Sequence, residues 1–237
     1  MMRGIFIGLC LMTYLVCPAQ QRPVQSLYMF DPLLVNPAYA GTQVQLSATG
    51  IYRNQWVNLP GAPKTMTATA HSGFLNTKMG LGFIIANDQI GIHNDLSFYG
   101  VYSYKIKVSR VGTLSMGLQG GFNNIRSDYT KLNLKNQADP NLSGSLTKFN
   151  PNIGAGAFYH QKEFYIGFSV PQIINNSLFD VEGNGSLSKQ LRYYYLIAGF
   201  SKDLQHNVKL IPSALIRVQE EAPLSFDVNA TLVFQES

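Results

Sequence analysis

Four histidines, His71, His93, His160 and His206, and the adjacent pair His71-Ser72 have the most evident capacity for chemistry in this 237-residue chain. Histidine ligates metals and serves as a general base, and a serine beside a base is a common nucleophile. The spacing argues against both uses. No two histidines stand in a His-x-His or HExxH arrangement, so no metal site is expected. Triads are recognised by geometry rather than order, but neighbours on a strand point to opposite faces, so His71 and Ser72 would not meet. Gly117-Leu118-Gln119-Gly120-Gly121 has the glycine density of a phosphate loop, yet lacks the Lys-Ser/Thr pair and the helix that complete one. These patterns predict no enzyme, no catalytic residue and no cofactor.

The only cysteines, Cys10 and Cys17, lie in an N-terminal stretch that reads as an export signal over residues 1–19. Arg3 supplies the positive start, residues 5–16 an apolar run, and Cys17 and Ala19 the small positions before a cut ahead of Gln20. The run is too short to cross a bilayer of roughly 30 Å as a helix. Lipidation at Cys17 is the less favoured reading, because Val16 is bulkier than the residue such signals place there. Cleavage leaves no cysteine, which excludes disulfides, thiol nucleophiles and Cys-ligated zinc.

Charged residues make up 13% of the chain and aromatics 12%, whereas soluble domains carry roughly 25% charge. No apolar run of helix-spanning length follows the signal, so strands remain as the means of meeting lipid. The net charge of +5 is scattered rather than clustered, which excludes a nucleic-acid partner. Leu224, Phe226, Val228, Ala230, Leu232 and Phe234 form one wall of a strand, backed by the mainly polar Ser225, Asp227, Asn229, Thr231, Val233 and Gln235. Leu96 to Ile106 and Leu114 to Phe122 repeat the pattern. About ten strands are predicted, over 45–57, 65–74, 78–88, 94–108, 112–125, 152–161, 163–171, 189–201, 206–219 and 223–235. Their lengths suit membrane strands.

Short connections follow the even-numbered strands (75–77, 109–111, near 161–162, 202–205), and long ones (126–151, 172–188) follow odd-numbered strands. This parity predicts an all-β, transmembrane, antiparallel up-and-down barrel over residues 45–237, facing outer-membrane lipid, with a periplasmic N-terminus. The many strand glycines are read as permitting curvature.

Residues 28–64 carry the strongest local signals. Asn36-Pro37-Ala38-Tyr39-Ala40-Gly41 makes a turn in which Pro37 fixes φ and Gly41 can take a positive φ. It is either a lead into the first strand or, with all of residues 20–44, a plug-like segment folded into the barrel mouth and contacted by a periplasmic partner. Arg53 and Gln55 share one face of the first strand. Trp56, near its outer end, suits an interfacial aromatic girdle. Gly61-Ala62-Pro63-Lys64 forms a rigid approach to strand two and a docking loop.

These motifs, in this order, resemble the start of the PorP/SprF family of outer-membrane proteins attached to type IX secretion and gliding machinery in Bacteroidetes. The resemblance implies a role in protein secretion that is not enzymatic. The protein would couple the periplasmic ring or motor proteins to the outer membrane, or receive a secreted surface adhesin. It also marks Asn36, Pro37, Tyr39, Gly41, Arg53, Gln55, Trp56, Gly61, Pro63 and Lys64 as partner-binding candidates. Family members usually continue past the equivalent of Phe234, so the chain is expected to be either a C-terminally short copy or a barrel closing on ten strands. A passive channel or hydrophobic-solute transporter is the alternative, and ten strands leave little room for an aqueous pore.

Overall fold

The computed structural model describes residues 27–74, 78–131, 144–181, 185–205, 208–220 and 222–234. The export-signal stretch, the start of the plug-like segment, the 75–77 turn and the middle of the 126–151 connection lie outside them. Strands dominate: β1 (Ser47–Asn54), β2 (Lys64–Phe74), β3 (Met79–Ile90), β4 (His93–Lys107), β5 (Thr113–Asp128), β6 (Ser145–His160) and β7 (Phe164–Val170), followed by β8 (Ser177–Val181), β9 (Gly185–Lys189), β10 (Tyr193–Phe200), β11 (Lys202–Gln205), β12 (Val208–Gln219) and β13 (Ser225–Phe234). No helix among the described residues is long and apolar enough to cross a membrane.

Eleven strands form one antiparallel sheet in chain order, while β8 and β9 make a separate hairpin. β10 and β11 pair with different stretches of the same strand, β12, and β13 lies off the path on β12. They are two parts of one rail broken at Ser201, so the sheet has the ten rails the alternation predicts. No ladder joins β13 to β1.

Several boundaries move. Residues 202–205, expected as a turn, extend the eighth rail. The β5–β6 hairpin is taller than expected, with Asp128 paired opposite Ser145. Turn-forming Asn150, Pro151 and Asn152 hid that extension in the sequence, but the alternation overrides their local preference: both asparagines are buried inward and Pro151 faces out. Trp56 is not on the first strand, which ends at Asn54. The parity of connection lengths holds, and the two longest leave from the same end.

The two faces of the sheet are reversed relative to a soluble protein. On β4, Tyr99, Val101, Ser103 and Lys105 are buried, whereas Phe98, Tyr102, Tyr104 and Ile106 are exposed. On β13, Phe226 is 70% and Val228 73% exposed. Phe98, Phe122 and Phe149 form an outward row, with ring centroids 6.2 and 4.9 Å apart. A continuous apolar exterior of this kind is stable against lipid and not against water. Introducing a cation there tests this. Leu118→Arg, at an outward position near the middle of β5, is expected to destabilise the protein in lipid vesicles by about 2–4 kcal/mol, read by urea titration. An unchanged midpoint would remove that face from the hydrocarbon.

Candidate functional site

The interior of the curved sheet is filled by the chain's own N-terminal segment. Two 3-10 turns, Pro32–Leu34 and Pro37–Tyr39, follow one another. Each is built the same way. An Asx side chain caps it, Asp31 accepting from Leu33 N–H at 3.2 Å and Asn36 from Ala38 N–H at 2.9 Å. A proline then occupies the first turn position, where its ring sets φ and its missing N–H costs the turn no hydrogen bond. Gly41 ends the segment at φ +66, the left-handed conformation expected of it.

This segment is the centre of the hydrophobic core. Tyr28, Val35 and Ala38 pack with Phe158, Tyr195, Ile197 and Leu215. Leu33 and Ala40 pack with Ile84, Tyr99 and Val101. Tyr39 stands edge-on to His71 and to Phe158, at centroid distances of 5.4 and 5.5 Å. Burial pushes its phenol above the ordinary value, which keeps it neutral.

The segment's turns pair part of its backbone internally, and groups they leave over must be satisfied by side chains, which the inner wall supplies. Ser169 donates to the Val35 carbonyl at 2.5 Å and Ser103 to that of Ala40 at 2.6 Å. The Lys105 ammonium donates to the Gly41 carbonyl, and Gly41 N–H donates to His71 Nδ1 at 3.2 Å. Asn36 Nδ2 reaches the Ala157 carbonyl at 3.0 Å, and the Thr69 hydroxyl bonds Asp31. At the far side, Asn229 Nδ2 donates to the Tyr28 hydroxyl at 2.7 Å. The contacts run from β2 to β13, so one segment spans from the strand beside one margin of the open sheet to the strand at the other. His71 therefore serves the segment, and the Ser72 hydroxyl bonds the Val44 carbonyl.

The wall glycines fit the same segment. A Cβ on Gly80 would strike the Ala40 carbonyl, one on Gly117 the Ala38 backbone, and one on Gly156 the Asn36 side chain. One on Gly167 would lie 2.7 Å from Asn36 Nδ2. Close approach, rather than the curvature expected from the sequence, is the requirement at these four positions. Gly120, by contrast, has open space around its Cβ direction.

The remaining candidates lie elsewhere. Arg53 and Gln55 are half-buried, and Gln55 N–H closes the β1–β2 loop on the Pro63 carbonyl at 3.0 Å. Within that loop Trp56 (φ +49), Asn58 (φ +77) and Gly61 (φ +77) adopt left-handed conformations. The Gly61 carbonyl accepts from Gly91 N–H at 2.9 Å, which ties the loop to the β3–β4 turn. Trp56 and Lys64 are exposed. Gly41 packs beside Gly73 and Gly80 at the opposite end of β2 from Lys64, roughly 30 Å away at about 3.3 Å per residue. The ten candidates thus form two groups. Asn36, Pro37, Tyr39 and Gly41 are internal; Arg53, Gln55, Trp56, Gly61, Pro63 and Lys64 frame the loop end.

Sequence reasoning missed Asp31 and the wall residues Thr69, Ser103, Lys105 and Ser169. One signal was present: Asp31-Pro32 and Asn36-Pro37 are two Asx-Pro caps five residues apart. Gly117→Ala is expected to cost about 1–3 kcal/mol by overpacking against Ala38 and to raise protease cleavage within residues 27–41. Gly120→Ala should do neither. Asn36→Ala leaves Ala38 N–H and the Ala157 carbonyl without their partner, so a loss of about 1–3 kcal/mol is expected in the same titration.

No match was found among curated proteins or among solved structures. The family model for the type IX secretion system membrane protein PorP/SprF matches residues 18–237, and the chain belongs to that family of secretion-system membrane proteins.

Proposed function

We propose that this protein is a non-enzymatic outer-membrane component of the type IX secretion and gliding machinery, coupling the periplasmic ring or motor proteins to the outer membrane. The observation that carries the reading is the filled lumen. Residues 28–41 are held by side chains from β2, β4, β7 and β13 and by the Ala157 carbonyl of β6. A barrel occupied in this way works through its ends, by binding, rather than through a passage. The short-turn end, where Gly41 emerges, meets the periplasmic parts. The opposite end presents Trp56, Gly61, Pro63 and Lys64, on the side where a secreted adhesin would be received.

The channel reading needs an open path, which the seated segment opposes. A pulldown of the tagged full-length chain from outer membranes of its own host is expected to recover ring or motor proteins, with a large secreted adhesin as the second partner. Planar-bilayer recordings of the same preparation are expected to show no steady conductance. Conductance without partners would replace this reading with the channel.

A further inference from the structure

At the short-turn end a cavity of about 490 Å³ opens between the wall and the stretch that leaves the lumen after Gly41. Thr42 and Val44 line it from that stretch, with Lys78, Lys105 and Lys107 from the β3–β4 side and His160 from the end of β6. Three lysines and a histidine converge there, and the lining holds no carboxylate. Lys105 is only 9% exposed, and its ammonium rests on the neutral Gly41 carbonyl. Buried cations are normally paired with an anion.

Two buried polar atoms near it also have no partner among the described residues: His160 Nδ1, and the hydroxyl of Ser115, which the β4–β5 register places opposite Lys105. Cationic side chains and orphaned polar atoms on one cavity are the complement of an anionic ligand.

We infer that this cavity binds a carboxylate-bearing peptide segment of a partner, entering from the short-turn end. Three observations select that occupant. Lys105 lies on the inner face of the wall and Thr42 on the stretch leaving the lumen, so a ligand reaches them through the aqueous mouth, although Tyr104 and Ile106 of the outward face also line the cavity. The volume falls within the roughly 300–1,000 Å³ of small-molecule and short-peptide sites, more than a single inorganic ion fills. Lys105 also holds the Gly41 carbonyl, so an anion that pairs with it competes for the last anchor of the lumenal segment. Partner binding and segment seating are thereby linked. The inference rests on the reading of this end as the machinery-facing one.

The test uses the purified full chain in zwitterionic nanodiscs and a fluorescein-labelled hexaglutamate peptide followed by anisotropy. Saturable binding is expected, with none for hexalysine. The double variant Lys78→Gln, Lys107→Gln should weaken binding about tenfold. Both lysines are exposed and neither holds the segment, so the fold is not at risk. Lys105→Gln should weaken it further and raise protease cleavage within residues 27–41, as bound peptide itself should in the parent chain. Equal binding by the double variant, or no peptide binding, would overturn the inference. So would binding of inorganic phosphate alone, or full suppression of peptide binding by phosphatidylglycerol nanodiscs, which would assign the cavity to a free anion or a lipid headgroup. The measurement needs no host component, so its failure leaves the co-purification result standing, and the reverse.

Discussion

The chain that fills the lumen has no neighbouring strand, so the buried backbone groups that its own turns leave unpaired must find partners in side chains. That constraint shapes most of the molecule. It requires donors at chosen inward positions, which are Ser103, Lys105, Ser169 and the Asn36 amide reaching outward. It requires the segment itself to use few backbone donors. Pro32 and Pro37 remove two, and Asp31 and Asn36 satisfy two more. It requires the wall to come close, which glycine permits at Gly80 and Gly117 against the segment's backbone and at Gly156 and Gly167 against the Asn36 side chain. A rule about hydrogen bonds thus becomes a rule about where glycine must stand.

The outside obeys the opposite rule. Side chains there need only be apolar, and their register is set by the inside, because a one-residue slip would exchange the two faces. Ser103 on the Ala40 carbonyl fixes which way Tyr102 and Tyr104 point. The polar lining also keeps the inner face from collapsing into an ordinary sandwich core. The margins β1 and β13 carry no shared ladder, yet Tyr28 touches β13 through Asn229 and the Asp227 carbonyl, while Asp31 and Gly41 hold β2. The segment ties together across the lumen what hydrogen bonds along the sheet do not.

Much of this was legible in the sequence, for a physical reason. Strict alternation survives because each strand has two solvents, so Leu224 to Phe234 announces its faces residue by residue. The positive φ of Gly41 was readable because a proline-led turn entering a strand must reverse there. The extension of β6 back to Ser145 was not readable, since Asn150, Pro151 and Asn152 have the composition of a loop and only cross-strand pairing with β5 outweighs it. Trp56 was misplaced for a related reason. Strand-favouring Trp56 and Val57 follow Asn54 and Gln55 directly, while the left-handed turn that ends β1 depends on Gly61 meeting Gly91 far along the chain. The strand glycines were visible, but the requirement at Gly80, Gly117, Gly156 and Gly167 was not, because it comes from a segment 39 to 131 residues away in sequence (Gly41 to Gly80, Asn36 to Gly167).

The balance of forces on the lumenal segment separates what holds it from what aligns it. Each hydrogen bond to the wall contributes about 1 kcal/mol net, since water would replace it on withdrawal. Each buried apolar side chain contributes about 1.5–3 kcal/mol, and Tyr28, Leu33 and Val35 are fully buried, with Tyr39 packed between two rings. Retention therefore rests mainly on these side chains, and the polar contacts choose the register. The end near Gly41 is held chiefly by polar contacts, from Lys105, Ser103 and His71, and a competing ligand can replace such contacts at little cost. The end near Tyr28 is held by packing and is not exchangeable in that way. Adjustment of the segment accordingly begins at the mouth.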